Sequence, residues 1–497
     1  MNSYPPRALA AIDIGSNSFR LEIADLVRGR YKRLLYLKET VRLGAGLDGD
    51  GRLTDEAMRR GLDCLQRFAA ALQGFAPERV RAVATQTLRE ARNRDEFLAR
   101  AQQALGFSVE VISGREEARL IYAGVARLQV SSAPRLVIDI GGRSTELILG
   151  QGRKPVAAES FQVGSVGLSM RFFENGQFSA EAFRAAQVAA GAELEEAVGL
   201  FKPTLWKEAL GASGTVGAVS QILAASGISD GRITAEGLRW CIAQCLVAGS
   251  VDALKLPGLK EERRAVVGGG LCILYTLLTQ FGIDELLPAR GALRQGVIFD
   301  LVERLEPLGR TSSVDMRDAS ASELQQRFGV DRQQAAHVRA LALALYRQLA
   351  PAAPQELARE LGWAAALHEI GMTVSHHDHH RHSAYMLAHV DAAGFSQNQL
   401  KRLADLALGQ RGGLRKLEAE LADERFIWQL LALRLAVIAC HARTGVDAKA
   451  LQLQLQGRTL SLAMPKAWAE RQPRLLYLLK EEAQAWQRSG LLELSLP

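Results

Sequence analysis

The sequence predicts an α/β protein of two domains built to one plan, followed by a helical domain and a small α+β unit. Three observations lead there. A strand–glycine turn–strand motif occurs twice, 126 residues apart, as Ile12-Asp13-Ile14-Gly15-Ser16-Asn17-Ser18-Phe19-Arg20-Leu21 and Ile138-Asp139-Ile140-Gly141-Gly142-Arg143-Ser144-Thr145-Glu146-Leu147. Up to about residue 305, β-branched or alternating runs are interleaved with helical patterns. Beyond that point helical patterns dominate to Cys440, and all nine histidines lie between 337 and 441.

At 497 residues the chain exceeds what one hydrophobic core supports. Hydrophobic residues at 48% and charged residues at 23% are ordinary for a folded soluble protein, so disorder does not dominate. The net charge of +7 suits polyanions such as nucleotides or polyphosphate. No Lys/Arg-rich tail is present, which argues against nucleic acid as the partner. Five cysteines leave an odd count, and Cys241 and Cys245 have no further Cys or His to complete a metal set. Buried thiols in a reducing cytoplasm are expected, with peripheral membrane association left open. Residues Met1 to Arg7 lack a signal peptide's apolar core. Ala265–Ile283 is uncharged for about the length of a membrane span but contains four glycines, Thr279 and Gln280, so a buried helix is expected and no integral membrane segment.

In order, the opening strand leads through the first glycine turn into strands at Phe19–Asp25 and Tyr31–Leu43, with Arg28-Gly29-Arg30 turning between them. Thr54 caps a helix to Phe68. Arg79–Thr85 is a strand running into Thr87-Leu88-Arg89, Arg94–Leu105 a helix and Val109–Ile112 a strand. Ser113 caps the helix opening Gly114-Arg115-Glu116-Glu117. From Leu136 the plan repeats, with a turn at Gly152, a strand at Val156–Gln162 and a small loop at Gly164–Gly167. A helix is expected over Ala180–Leu200. Leu210–Val216 and Gly291–Gly296 read as turns that aim amides at an anion, the latter leading into a helix at Val297–Leu305. Pro307–Ser313 reads as a linker. The Leu-Gln alternation from Leu451, with Gly457-Arg458 at its turn, predicts a hairpin, then a helix to Arg488 and a strand at Leu491–Leu496.

The duplicated turn brings backbone N–H groups and hydroxyls to a bound anion. Asp139 and Glu146 flank the second turn and together suit a hard cation. Aligning the copies sets Arg20 opposite Glu146, so they match in shape and differ in charge. Two facing phosphate loops predict a cleft for a nucleotide or polyphosphate.

Taken together, these motifs, Ile112–Tyr122, Gly211-Ala212-Ser213-Gly214-Thr215 and Gly291-Ala292-Leu293-Arg294 resemble the exopolyphosphatase and guanosine pentaphosphate phosphohydrolase family over nearly the whole chain. The resemblance implies two actin-like (ribonuclease-H-like) domains at 1–130 and 131–306, an all-α HD-like domain at 314–445, a small α+β domain at 446–497, and a homodimer. It places the catalytic base at Glu117, since transfer of a phosphoryl group to water needs a carboxylate to orient that water. Glu116 and Glu117 would equally suit the first turn of any helix, whose dipole keeps a carboxylate ionised. Mg²⁺, with K⁺ as an optional companion, is the implied cofactor, held by Asp139 and Glu146. Asp13 either ligates through water or braces its loop. The phosphate-binding set is Ser16, Asn17, Ser18, Arg89, Gly141, Gly142, Arg143, Ser144, Thr145 and Gly214, although Arg89 also reads as a solvated helix arginine.

Two residues depart from the family pattern. Arg143 stands where glycine is usual, and either contacts phosphate or projects to solvent. Gln295 stands where a Glu often follows the arginine. His368-Glu369 replaces the His-Asp of the HD pattern, so the histidines read as a basic surface along a polyanion path rather than a second metal centre. The leading expectation is an exopolyphosphatase that releases orthophosphate from inorganic polyphosphate, favoured by His380-Arg381-His382-Ser383-Ala384-Tyr385. The alternative is hydrolysis of guanosine pentaphosphate to the tetraphosphate.

Overall fold

The computed structural model describes residues 4–27, 30–305, 315–457 and 459–496. The expected linker Pro307–Ser313 and residues 28, 29 and 458 of the expected turns lie outside these. Contacts divide the chain into two units, Met1–Ser313 and Val314–Pro497, and each is described by itself.

In the first unit the opening run forms β1 (Leu9–Ile14), which turns through the first glycine loop into β2 (Ser18–Val27) and β3 (Arg30–Thr40). β4 (Val80–Ala84) and β5 (Val109–Val111) complete a sheet ordered β3-β2-β1-β4-β5. The second half repeats it with β6 (Pro134–Ile140), β7 (Thr145–Gln151), β8 (Lys154–Phe161), β9 (Glu208–Gly211) and β10 (Leu287–Pro288), ordered β8-β7-β6-β9-β10. In each sheet the first three strands are antiparallel and the last two run parallel to the first. Every residue of β1 is buried, as expected for a central strand covered on both faces. The register repeats as well: Asp13 faces Arg20 across β1–β2, and Asp139 faces Glu146 across β6–β7. The echo in the sequence is therefore a duplicated sheet with its turn in the same place.

The helix Gly114–Leu128 joins the two halves and is capped by Ser113, whose hydroxyl accepts from the Glu116 amide at 3.2 Å. The helix Leu293–Leu305 lies directly against it. A Cβ on Gly296 would sit 1.7 Å from the Leu120 carbonyl oxygen, and one on Gly124 2.3 Å from that of Ala292. Glycine here permits backbone-to-backbone packing. The Gly291–Gly296 stretch, expected as an anion-binding turn, thus serves that crossing, and its helix already begins at Leu293.

Charge reinforces the crossing. Asp300 accepts from Arg81 Nη1 at 2.7 Å, Arg119 Nη2 at 2.6 Å and Arg304 Nε at 2.6 Å. Arg119 also holds Glu116 through two bonds of 2.7 and 2.8 Å. Against the penalty of burial, these arginines keep the Asp300 carboxyl far below its usual range. Removing one partner leaves an uncompensated buried charge, at a cost of about 3–5 kcal/mol. The helix that carries Glu117 is therefore fixed both to β4 and to the last helix of the unit.

Other expectations shift. Gly164–Gly167 is no loop: a helix runs Ser165–Phe172, with Gly269 close enough that a Cβ would meet the Ser165 carbonyl oxygen at 2.5 Å. The helix from Ala180 ends at Leu194 and continues only as a 3₁₀ turn at Glu195–Ala197. The uncharged stretch is the buried helix Val267–Gln280, and among the described residues no helix is long and apolar enough to cross a membrane. All five cysteines are buried and free.

In the second unit, helices occupy most of Met316–Ala439. The hairpin β11 (Gln452–Gln456) and β12 (Thr459–Ala463), the helix Pro473–Ser489 and β13 (Glu493–Ser495) follow. One core runs through the unit, from Leu345 and Trp363 to Leu460 and Trp486.

Candidate active site

A cavity of about 460 Å³ opens between the two glycine loops of the first unit. Ser16, Asn17 and Ser18 line it with Gly141, Gly142 and Ser144, and Asp13, Asp139, Glu117 and Gly214 complete the inner part. The Ser18 hydroxyl is buried without a partner, so it is available to an acceptor entering the cavity.

The acids at this point are unevenly compensated. Asp13 receives Arg20 Nη1 at 2.9 Å, and Arg294 Nη1 stands 3.5 Å away. Glu117 receives Arg89 Nη1 at 2.9 Å, yet burial still pushes its carboxyl above the usual range. The helix dipole was expected to keep this group readily ionised; burial outweighs it. Burial and Glu117 together push Asp139 up to about 7, with Arg20 opposing. Glu146 is raised well above the ordinary value by burial, Glu117 and Asp139. Glu117 thus raises both Asp139 and Glu146, and Asp139 raises Glu146 further, which leaves the site short of positive charge.

Four residues of the expected set stand outside the cavity wall. Glu146 lies beneath Asp139 and accepts from the Ser160 hydroxyl at 2.8 Å. Thr145, expected to donate to phosphate, commits its hydroxyl to the Val163 carbonyl at 2.6 Å and is fully buried. Arg89 is no solvated helix arginine: besides Glu117 it donates to the Ile112 carbonyl and the Gln86 amide oxygen, while Nη2 is buried and unpartnered. Arg143 does neither of the expected things. It donates to Glu90 at 2.7 Å and approaches the Gly44 carbonyl at 3.4 Å, so it ties the second loop to the first half. Glu90 in turn accepts from Gln86 Nε2 at 2.7 Å. Arg143, Glu90, Gln86, Arg89 and Glu117 thus form one unbroken hydrogen-bond chain.

The sequence reading missed cations that line the cavity. Lys38 and Arg263 both line it, and burial and their mutual repulsion hold the Lys38 ammonium below its usual range. A Cβ on Gly214 would fall 2.1 Å from Arg263 Nη2, so glycine at this helix start makes room for the guanidinium. Arg263 comes from Lys260-Glu261-Glu262-Arg263-Arg264, which carries no motif. Gln295 is explained too: its side-chain NH₂ donates to both oxygens of buried Glu22, at 2.9 and 2.8 Å, where a glutamate would repel. Among the described residues of either unit, no group of three or more His, Cys, Asp or Glu is arranged to hold a metal ion, so Asp139 and Glu146 would offer a cation two carboxylates and no more.

The sequence pattern of the Ppx/GppA phosphatase family matches residues 22–305, and that of its domain III matches residues 316–483. The chain belongs to this family. Its two sheets are the actin-like halves of a Ppx/GppA phosphatase, and the mainly helical second unit contains domain III. Among solved structures, an exopolyphosphatase from Cytophaga hutchinsonii superposes with a TM-score of 0.54 at 26% identity, over 60% of this chain and 99% of that one. An Aquifex aeolicus Ppx/GppA family member gives 0.51 at 26% identity, over the same shares. Proteins named guanosine-5'-triphosphate,3'-diphosphate pyrophosphatase match far more of the chain. The one from Aeromonas hydrophila is 37% identical over 490 residues, 97% of each chain; that from Vibrio vulnificus is 38% identical over 480, 95% of each.

These full-length relatives overturn the expectation of an exopolyphosphatase. The stretch that favoured it, His380–Tyr385, lies in the helix His379–His389, where Ser383 is fully buried and donates to the His368 carbonyl at 2.9 Å. Arg381 and Tyr385 of the same stretch are exposed, and no residue of it belongs to the cavity of the first unit.

Proposed function

We propose that this Ppx/GppA phosphatase hydrolyses guanosine 5'-triphosphate 3'-diphosphate, removing the terminal 5'-phosphate. The observation that carries the reading is the relatives of that name, 36–38% identical along 95–97% of the chain. The cavity is in keeping with it. The glycine loops supply amides and hydroxyls for a 5'-polyphosphate, and Lys38 and Arg263 in the cavity wall suit a second phosphate group on the same molecule.

Glu117 is the base. Arg89 fixes one of its oxygens, and the raised carboxyl sits nearer the operating pH, where a base both exists and accepts a proton well. Its partner on the other side is the water that attacks in line with the departing diphosphate oxygen. The acidic set at Asp139 and Glu146 fits Mg²⁺, because it lacks the positive charge that a divalent ion brings. When bound, such an ion would neutralise charge on the transferred phosphoryl group and its leaving oxygen.

Comparing kcat/KM on guanosine pentaphosphate and on long-chain polyphosphate tests the substrate, and at least tenfold in favour of the nucleotide is expected. The reverse preference would overturn the reading. Glu117→Gln should lower kcat by about 10²–10⁴-fold with KM little changed, the usual share of a general base.

A further inference from the structure

The second unit holds a larger cavity, of about 1010 Å³, in which no residue belongs to the site above. Its walls come from the segment around His368–His379, the loop Gln410–Arg415, the end of the helix Glu424–Ala439 with His441 and Arg443 beyond it, one face of Pro473–Ser489, and Gln334 of the helix Arg332–Leu349.

The loop is held rigidly. Buried Arg434 forms two bonds to Glu482, at 2.5 and 2.6 Å, and donates to the carbonyls of Gly409 and Gly412 at 2.6 and 3.1 Å. Lys416 Nζ donates to the Arg411 carbonyl at 2.7 Å. The backbone of the loop is therefore fastened on both sides of Arg411.

The charge in the cavity is unbalanced in one direction. Glu482 is neutralised by Arg434, and Glu369 by Arg443 at 3.0 and 2.9 Å. Arg411, Arg415 and Arg488 line the same space, and none has a carboxylate partner among the described residues. Against them stands Glu481, the one lining carboxylate with no cationic partner within 4.0 Å among the described residues. His379, only 4% exposed, adds a specific feature. Its Nε2 lies 3.3 Å from Arg411 Nη1, so in the neutral ring Nε2 accepts and Nδ1 carries the proton. That Nδ1 is buried without a partner.

The cavity is too large for a phosphate ion alone. Met372, Leu414, Val437, Ile438 and Leu478 give it a broad apolar surface, and its volume matches that of sites that enclose a ligand of nucleotide size. Gln334 and Gln410 line it as well. Their NH₂ groups are committed to backbone carbonyls, and their amide oxygens are buried with no donor.

We infer that this cavity is a binding site for a nucleoside phosphate, separate from the candidate active site. Its phosphates sit against Arg411, which His379 steadies through Nε2, and against Arg415 and Arg488, and its base lies on the apolar wall.

Photolabelling of the full chain with 8-azidoguanosine triphosphate, followed by peptide mapping, tests this without depending on the active site, because the two sites label different peptides. Label is expected on peptides from 368–379 or 473–489. It should fall at least tenfold in Arg411→Ala/Arg415→Ala and, from the opposite wall, in Arg488→Gln, with circular dichroism unchanged. ATP should compete at least tenfold better than inorganic tripolyphosphate. Label confined to peptides of the first unit, or no label, would overturn the site. Equal competition by tripolyphosphate would overturn the nucleoside part. The substrate comparison above fails or succeeds independently of all three.

Discussion

The two glycine loops share a strand order, a register and a turn, and differ in charge at the position paired with their aspartate. In the first, Asp13 faces Arg20, and the two are bonded at 2.9 Å. In the second, Asp139 faces Glu146, so the same geometry brings like charges together. A fold that duplicates a phosphate loop thus need not duplicate its chemistry. One loop comes with its charge already balanced and serves to bind; the other is left acidic, and must take up a proton or a cation before it is content.

Changes that erase the contrast should cost most. Glu146→Gln makes the second loop less acidic and should lower kcat/KM by about 10²–10³-fold, with a higher Mg²⁺ requirement in a metal titration. Arg20→Gln leaves Asp13 with Arg294 at 3.5 Å as its remaining cation. It should weaken kcat/KM about tenfold, mainly through KM, in keeping with loss of one charged contact. Arg143→Gly removes the tie to Glu90 and should reduce kcat by about two- to fivefold, partly restored by Arg143→Lys; a partly exposed ion pair is worth about 1 kcal/mol or less.

The smallest effect is on stability. Asp139 has a folded value of about 7 against about 3.9 unfolded, so its contribution is complete below pH 4 and is lost as pH rises through 7. Asp139→Asn lacks this dependence. With chelator present and no nucleotide, its Tm relative to the parent should be higher at pH 8 than at pH 5, by on the order of 2 °C. A constant difference would mean that Asp139 is not raised.

Much of this was legible in the chain. The repeated motif announced the duplicated sheets, because central strands are buried on both faces and their turns need glycine. Ser113 announced the start of the Glu117 helix through its capping role. What failed depended on distant neighbours. Thr145 looks like a donor in a loop, but its hydroxyl meets the Val163 carbonyl only once β7 and the segment after β8 pair. Gly291 to Gln295 do line the cavity, as an anion turn would, but only the crossing helix shows that Gly291 and Gly296 also relieve crowding. Lys38 and Arg263 come from segments more than 200 residues apart, and nothing local marks either. The substrate preference was misread from His380–Tyr385, a stretch of the second unit that contributes nothing to the cavity of the first.

The chain from Arg143 to Glu117 has one more consequence. Each link restrains the next, so Glu117, the proposed base, is tied to a residue on the opposite lobe four contacts away. If the lobes part, the first link breaks and Glu117 keeps the local grip of Arg89, itself held by the Ile112 carbonyl. The arrangement resembles a tool with a safety catch: all four links are engaged only while the two lobes are held together.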